Sequence, residues 1–289
     1  MASTTVLKQR IKSVRGTRQI TKAMQLVSAS KMRKAQDYAF KSRDYRDAAY
    51  ELLTKLNTTR EVEQQPLFAK RPVKNKLYVI VTSNSGLAGA YNSNVLKELA
   101  QSLTSDKKIG ITSQVISVGS KGAQFVRRIQ NVELLAVYAS FPEQPTANDL
   151  RPILNTIIGL YRDESIDEVR ILYTLYKSSI SQVAQNLQVL PASTLELGTA
   201  NGQLITNFEP DIESVINEVG TRLVEAQLYQ AILESLASEH SMRMIAMKNA
   251  TDNANDLIHD YTLEYNTARQ AGITQELAEI TGGAEALNG

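Results

Sequence analysis

The sequence predicts an α/β domain inserted between two long helices, one at each end of the chain, which pair as an antiparallel coiled coil. Three observations lead there. All seven prolines (Pro66, Pro72, Pro142, Pro145, Pro152, Pro191 and Pro210) lie between positions 66 and 210. A proline inside a helix removes a backbone donor and clashes with the preceding turn, at a cost of about 3 kcal/mol, so the proline-free ends permit very long helices. Charge is polarised in the same way. Residues 1–60 carry 14 Lys+Arg against 4 Asp+Glu, residues 208–289 carry 4 against 14, and the whole chain is only +2. Between them, apolar β-branched runs alternate with helical patterns. The expected boundaries are 1–60 for the first helix, 61–209 for the domain and 210–289 for the last helix.

The C-terminal stretch has the clearest periodicity. Leu223, Ala226, Gln230, Leu233, Ala237, His240, Met244, Met247, Thr251, Ala254, Ile258, Tyr261, Tyr265 and Ala268 alternate by three and four. That spacing is a coiled-coil seam, interrupted by polar residues at Gln230, His240 and Thr251. A helix from about Asp211, an expected N-cap after Pro210, to Glu285 would be on the order of 110 Å long at about 1.5 Å per residue. The N-terminal stretch shows a looser stripe: Leu7, Ile11, Val14, Met24, Val27, Met32, Ala35 and Ala39, with Ser28, Ala29 and Ser30 small enough for close approach. Gly16, Gly220 and Gly272 fall inside these helices. Each is expected to cost about 1 kcal/mol relative to alanine and to mark a point of bending. Neither helix can hide its apolar face alone, and the basic first helix and acidic last helix suit each other. Exposed ion pairs contribute only about 0–1 kcal/mol each, so the charges bear on orientation more than on stability.

The middle reads as strand and helix in turn. Lys76–Ser83 is a continuous apolar run, as in a strand buried on both faces. Gly86, Gly89 and a helical pattern through Leu103 follow it. Gln114–Val118 is a second strand, followed by Gly119 and a helix ending near Asn131, and Val132–Tyr138 is a third. Thr146–Asp149 opens a helix through about Arg162. Val169–Tyr176 and Val183–Leu190 are two more strands, read as a hairpin at one edge. This alternation predicts a mostly parallel, Rossmann-like sheet covered by helices.

Composition excludes several kinds of chemistry. With 43% hydrophobic residues the chain is not disordered as a whole. It has no cysteine, hence no disulfide, thiolate metal site or cysteine nucleophile. No apolar run approaches the roughly 18 residues that span a bilayer, and the N-terminus lacks the apolar core of a secretory signal, so a cytosolic protein is expected.

The turn Ser83–Asn92 invites a nucleotide reading, because it follows a strand and opens a helix. It carries only Gly86-x-x-Gly89 with no lysine after it, whereas a P-loop needs glycines five apart and then Lys-Ser/Thr, and a dinucleotide loop needs Gly-x-Gly-x-x-Gly. A tight strand-to-helix turn is the better reading, and no cofactor is expected. His240 and His259 have no second ligand at helical spacing, so no metal site is expected; they read as a seam residue and a solvated one. Glu239, Asp252, Asp256 and Asp260 read as a charged helix face. Nine basic residues precede any acid in the first 36 positions. No aromatic appears before Tyr38 to stack on bases, so nucleic acid is not expected as a partner.

Particular strings go further. Ile20–Met32 (ITKAMQLVSASKM) resembles the N-terminal helix of the gamma subunit of F-type ATP synthases. Ser238–Ala254 (SEHSMRMIAMKNATDNA) resembles that family's C-terminal helix, and Ile273–Ala284 (ITQELAEITGGA) its terminal signature. One departure stands out: the family's glycine turn usually reads Ser-Asp-Arg-Gly-Leu-Cys-Gly, whereas here it is Ser83-Asn84-Ser85-Gly86-Leu87-Ala88-Gly89. The redox-regulatory cysteine insertion of photosynthetic relatives is absent too.

The resemblance implies a non-catalytic rotor shaft. Its helical hairpin would stand inside a ring of three alpha and three beta subunits, with its α/β domain against the epsilon subunit and the membrane ring of c subunits. Proton flow would turn the shaft and drive ATP synthesis in the beta sites. By position in the family's motifs, Arg269, Gln270, Thr274 and Glu276 would engage a beta-subunit loop. Lys22 and Met24 would lie close to the acidic lever of beta, and Arg243 would face that N-terminal segment. Ordinary hairpin packing for Met24, an ion pair with the acidic helix for Lys22 and a solvated helix face for Arg269 and Glu276 are the competing readings. The resemblance also implies a peripheral place on the cytoplasmic face of a bacterial plasma membrane. A coiled-coil scaffold carrying a small interaction domain would account for the prolines and charges equally well.

Overall fold

The computed structural model describes residues 4–56, 65–139, 141–142, 145–192 and 212–288. Among the described residues ten elements follow one another: α1 (Thr4–Leu56), β1 (Asn75–Val81), α2 (Tyr91–Lys108), β2 (Thr112–Val118), α3 (Ser120–Val126), β3 (Glu133–Tyr138), α4 (Ala147–Arg162), β4 (Glu168–Ser178), β5 (Ser181–Leu190) and α5 (Ile212–Asn288). The expected α/β domain between two long helices is the fold observed. The N-cap assigned to Asp211 lies outside the described residues.

The chain divides into two compact units, Met1–Ser28 with Met244–Gly289, and Ala29–Arg243. In the larger unit the five strands lie in the order β3-β2-β1-β4-β5. β1 is parallel to β2 and β4, β2 is parallel to β3, and β4 and β5 form the antiparallel edge hairpin. Side chains alternate across a strand, so each strand feeds two cores. Leu77, Val79 and Val81 of β1, with Ile116 and Ile171, face α4 and the first part of α5, including Ile153, Ile157, Leu223, Leu228 and Ile232. Tyr78 and Ile80, with Val115 and Leu172, face α2 and α3 through Val95, Leu99 and Val126. Burying each such side chain contributes about 1.5–3 kcal/mol, so the two-faced apolar runs hold the three layers together.

Two charged knots tie the start of the sheet. Asp167 accepts from Arg71 Nε at 2.8 Å and from the backbone N–H groups of Lys74 and Asn75 at 2.8 and 2.9 Å, while Arg71 also lies 4.4 Å from the Tyr161 ring centre. Asp106, in the last turn of α2, accepts from Lys76 Nζ, Tyr78 Oη and Ser113 Oγ at 2.9, 2.6 and 3.0 Å. Burial and the neighbouring Asp106 push the Tyr78 hydroxyl pKa upward, keeping it a donor.

Two local expectations change, at the helix after Gly119 and at Gly220, while the helix expected from Thr146 through about Arg162 is observed with Pro152 inside it. The helix after Gly119 stops at Val126 instead of near Asn131; the chain leaves by turns, with Asn131 in the left-handed region at φ 62°. Pro152 sits inside α4, whose start is secured by Thr146 N and Oγ1 donating to Asp149 Oδ2 at 2.7 and 2.6 Å. Gly220 is a packing requirement: a Cβ there would stand 2.9 Å from Phe68 Cε2, whereas Gly16 and Gly272 have open space around them.

In the smaller unit α1 and α5 pair antiparallel. Thr251 Oγ1 donates to Thr21 Oγ1 at 2.8 Å, Arg18 Nη1 to Asn255 Oδ1 at 3.4 Å, and the Arg10 guanidinium stands 5.8 Å from the Tyr261 ring centre. As one partner's number rises the other's falls in step. The larger unit has the same relation, with Ser42 Oγ donating to Gln230 Oε1. The α5 seam is observed as expected, from buried Leu223 to half-buried Ala268. On α1 the expected stripe is observed except at Val27, with Leu7, Met32, Ala35 and Ala39 buried and Ile11, Val14 and Met24 half-buried, and polar residues join it. Thr21, Ser28 and Ser42 are buried and Val27 is 53% exposed, because helix approach selects small residues as well as apolar ones.

Candidate functional site

The parallel strands end at the turn Ser83–Gly89, beside the position where the strand order reverses between β1 and β4. Open sheets of this type bind ligands in the crevice at that point. Here α5 occupies it. β1 pairs with β4 only as far as Ile80–Leu172. Beyond that, Thr174 N donates to Ser235 Oγ and Ser238 Oγ donates to Thr174 O, both at 3.0 Å. Tyr91, the first residue of α2, is fully buried and hydrogen-bonded to Ser235, and burial together with the Glu239 charge holds its hydroxyl pKa well above the ordinary value.

The turn engages its polar groups internally. Ser83 N donates to Asn92 Oδ1 at 3.0 Å, and Ser83 Oγ to Ser85 O at 2.6 Å. Asn84 Oδ1 accepts from Ser120 N at 2.9 Å, covering the start of α3. Gly119 is required there, since at φ +96° a Cβ would stand 2.1 Å from Thr82 O. This geometry suits a junction.

Arg243 closes the junction. It is 8% exposed and donates from Nη2 to Glu239 Oε1 at 2.7 Å and to Ser85 Oγ at 3.0 Å, while Nε reaches Gly86 O at 3.4 Å. Glu239 is therefore buried and paired, which corrects its assignment to a charged surface face. Burial pushes its carboxyl pKa up, and the charges of Arg243 and Lys31 draw it back. Asp252, Asp256 and Asp260 are exposed as expected, His259 is exposed and His240 half-buried.

The other sequence-selected residues are in the smaller unit. Lys22 is exposed and donates from Nζ to Gln25 Oε1 at 3.3 Å; Met24 is half-buried. Arg269, Gln270, Thr274 and Glu276 are all exposed, and Thr274 Oγ1 donates to Gln270 O at 3.0 Å. Arg269 and Glu276 share one stripe of α5, Gln270 and Thr274 the next. Ile273, Leu277 and Ile280 form a further stripe, 49%, 59% and 68% exposed. The structure thus brings together the four C-terminal residues, and Lys22 with Met24, and assigns Arg243 to the junction in the larger unit. Sequence reasoning missed Glu239, Ser85 and the serines of α5; the Ser235, Ser238, Ser241 spacing of three was the available signal.

Among the described residues no helix is long and apolar enough to cross a membrane. The sequence model of the family described as ATP synthase matches residues 3–287. The chain is 38% identical over 288 residues to a protein of Staphylococcus epidermidis named ATP synthase gamma chain, covering 99% of this chain and 100% of that one. A Staphylococcus aureus protein of the same name is 39% identical over 289 residues, with the same coverage. Among solved structures, a chain of the central stalk and c-ring of Tetrahymena thermophila mitochondrial ATP synthase matches with a TM-score of 0.63 at 26% identity, over 80% of this chain and 99% of that one. A chain of the Euglena gracilis mitochondrial enzyme matches in fold with a TM-score of 0.70 at 19% identity, over 99% and 94%. With full-length agreement in sequence and in fold, the chain belongs to the family of ATP synthase gamma chains, the gamma subunits of F-type ATP synthases.

Proposed function

We propose that this chain is the central rotor shaft of an F-type ATP synthase, carrying torque between the proton-driven c-ring and the alpha/beta catalytic head so that proton translocation drives ATP synthesis. The single observation that carries the reading is the match to gamma chains across 99% of the sequence. The paired helices α1 and α5 supply the stiff element such a shaft needs. A shaft changes affinities in the head only through contacts that differ between rotational states, and it contributes no catalytic group. The junction at the switch point supports that non-catalytic role, since α5 lies where a ligand would bind.

The proposed partners are the alpha and beta subunits around the helical pair, and the epsilon subunit and c-ring at the α/β domain. Arg269, Gln270, Thr274 and Glu276 are assigned to contact beta, and their exposure on a helix with an exposed apolar stripe supports this. Lys22 and Met24 are assigned to the neighbourhood of beta's acidic lever, supported by the exposed Lys22 cation. Arg243 is assigned to the same coupling set through the junction it closes. The bacterial relatives support a peripheral location on the cytoplasmic face of the plasma membrane, within the complex.

Native mass spectrometry of the chain co-expressed with its alpha and beta subunits tests the reading. One copy bound to three alpha and three beta, with ATP hydrolysis only in its presence, is the expected result. A free protein that ignores both subunits would overturn the shaft and favour a scaffold.

A further inference from the structure

Apolar burial holds α5 to the sheet, but burial is non-directional. It resists separation, but by area alone it fixes no single angle of rotation of the helix about its own axis. Directional hydrogen bonds do resist that rotation. Besides Asn217 with Gln65, Tyr229 with Pro145 and Gln230 with Ser42, they are densest on one stretch of α5, at its exit from the larger unit. Ser235, Ser238 and Ser241 recur every three residues and so share a stripe. Ser235 accepts from Thr174 N and Ser238 donates to Thr174 O, satisfying the β4 edge that β1 has left. Ser241 Oγ donates to Ser179 O at 2.8 Å at the hairpin tip and accepts from Gln182 Nε2 at 3.2 Å. On the other flank Arg243 is held by Glu239 and reaches Ser85 and Gly86 of the turn after β1. Arg243 is also the last residue of the larger unit. The bonds therefore stop where α5 leaves the domain.

We propose that Ser235, Ser238, Ser241 and Arg243 form a rotational clamp that locks α5 about its own axis against β4 and the turn after β1, and that this clamp sets the torsional stiffness with which domain rotation enters the helix. These are positioning residues, and the proposal rests on the shaft reading above. The clamp acts through the Thr174 and Ser179 backbone groups and the Gln182 side chain for its serines, and through hydrogen bonds to Ser85 Oγ and the Gly86 carbonyl for its arginine, which Glu239 holds in place from the same helix. It needs no change of shape to work.

The test uses the assembled complex, with the head immobilised and a probe attached to the α/β domain of this chain. Thermal angular fluctuations of the probe at a held nucleotide state report torsional stiffness, which loss of packing elsewhere would not selectively lower. Arg243→Gln combined with Ser241→Ala is expected to raise the angular variance about twofold, since it removes several directional bonds at one level of the helix. Arg243→Lys, which keeps the charge, is expected to restore part of the stiffness. Ser85→Ala alters an exposed side chain and gives a smaller rise, so a failure of the first variant to fold leaves a working test. Variance equal to wild type in Ser85→Ala, and in any other of these variants that assembles, overturns the clamp alone. Failure of the wild-type chain to enter and rotate in the head removes the shaft reading as well, and the two failures are told apart by that control.

Discussion

The same helix lives in two environments. From Ile216 to Glu239, α5 is buried on nearly every face, with Val224, Leu228 and Ile232 in the sheet core and Gln230 beside α1. From Met244 onward only a narrow stripe is covered, narrowing to Met247, Thr251 and Ala254, and past Ala268 the described side chains are exposed. One chain segment is therefore a core helix and then half of a two-helix seam. In the first, stability comes from apolar area on both sides of the helix. In the second, it comes from a thin line of small and polar residues, so register matters more than volume. The contrast explains why the apolar pattern is dense over one stretch of α5 and sparse over the next without any break in the helix.

Four changes sharpen that contrast. The largest effect is expected from Gly119→Ala. The new Cβ would collide with the Thr82 carbonyl at a left-handed backbone position, and we predict a loss of about 4 kcal/mol or more from the larger unit, read as a fall in the denaturant midpoint.

Next comes the seam. Thr21→Cys with Thr251→Cys should close a disulfide in air, because the two hydroxyls are 2.8 Å apart and the chain has no other thiol. A mobility shift on a non-reducing gel and a gain of about 2–4 kcal/mol are expected. A chain that stays fully reduced would show the register to be different.

Asp167→Asn probes the larger unit through pH. Burial alone would raise this carboxyl pKa, but the Asn75 and Lys74 amides and Arg71 outweigh it, leaving it below the ordinary carboxylate range. A carboxyl with a lowered folded pKa stabilises above its unfolded pKa, and that stability is lost as pH falls through the folded value. Urea unfolding across the acid range should show this limb in the wild type and not in the variant, which should lie about 2 kcal/mol lower at neutral pH.

The smallest effect separates two glycines of one helix. Gly272→Ala, in open space, should gain up to about 1 kcal/mol of local helix stability, whereas Gly220→Ala should lose stability because Phe68 is in the way. Thermal melts of the two variants should move in opposite directions.

Much of this was legible in the sequence. The strands of the sheet could be read from their apolar and β-branched runs, with Gly86, Gly110 and Gly119 marking the turns around β1 and β2, and the α5 seam could be read residue by residue. The α1 seam could be read in part, through Leu7, Ser28, Met32, Ala35 and Ala39. Thr21 and Ser42 also occupy it because two helices approach closely there, and a buried hydroxyl leaves no mark on an apolarity pattern. The junction was hidden for a different reason. Arg243 meets Ser85 across a separation of 158 residues and Ser235 meets Thr174 across 61, so no local spacing announces either contact. Glu239 looked like a surface acid because three exposed acids follow it on α5. Its partner, Arg243, is one turn further on, and only the fold shows that both are covered. Among the contact residues chosen by resemblance, exposure of Arg269 and Glu276 could be read from the end of the seam at Ala268.

The exposed end of α5 has a consequence for how the backbone breathes. A helix without apolar cover lies at the low end of local stability, and its turns open independently of the core. Amide protons of one continuous helix should therefore exchange over a graded series of rates, slowest between Ile216 and Glu239 and fastest beyond Arg269. Enclosure by a surrounding subunit would flatten that gradient, so the isotope content of the last turns becomes a gauge of how completely the tip is sheathed.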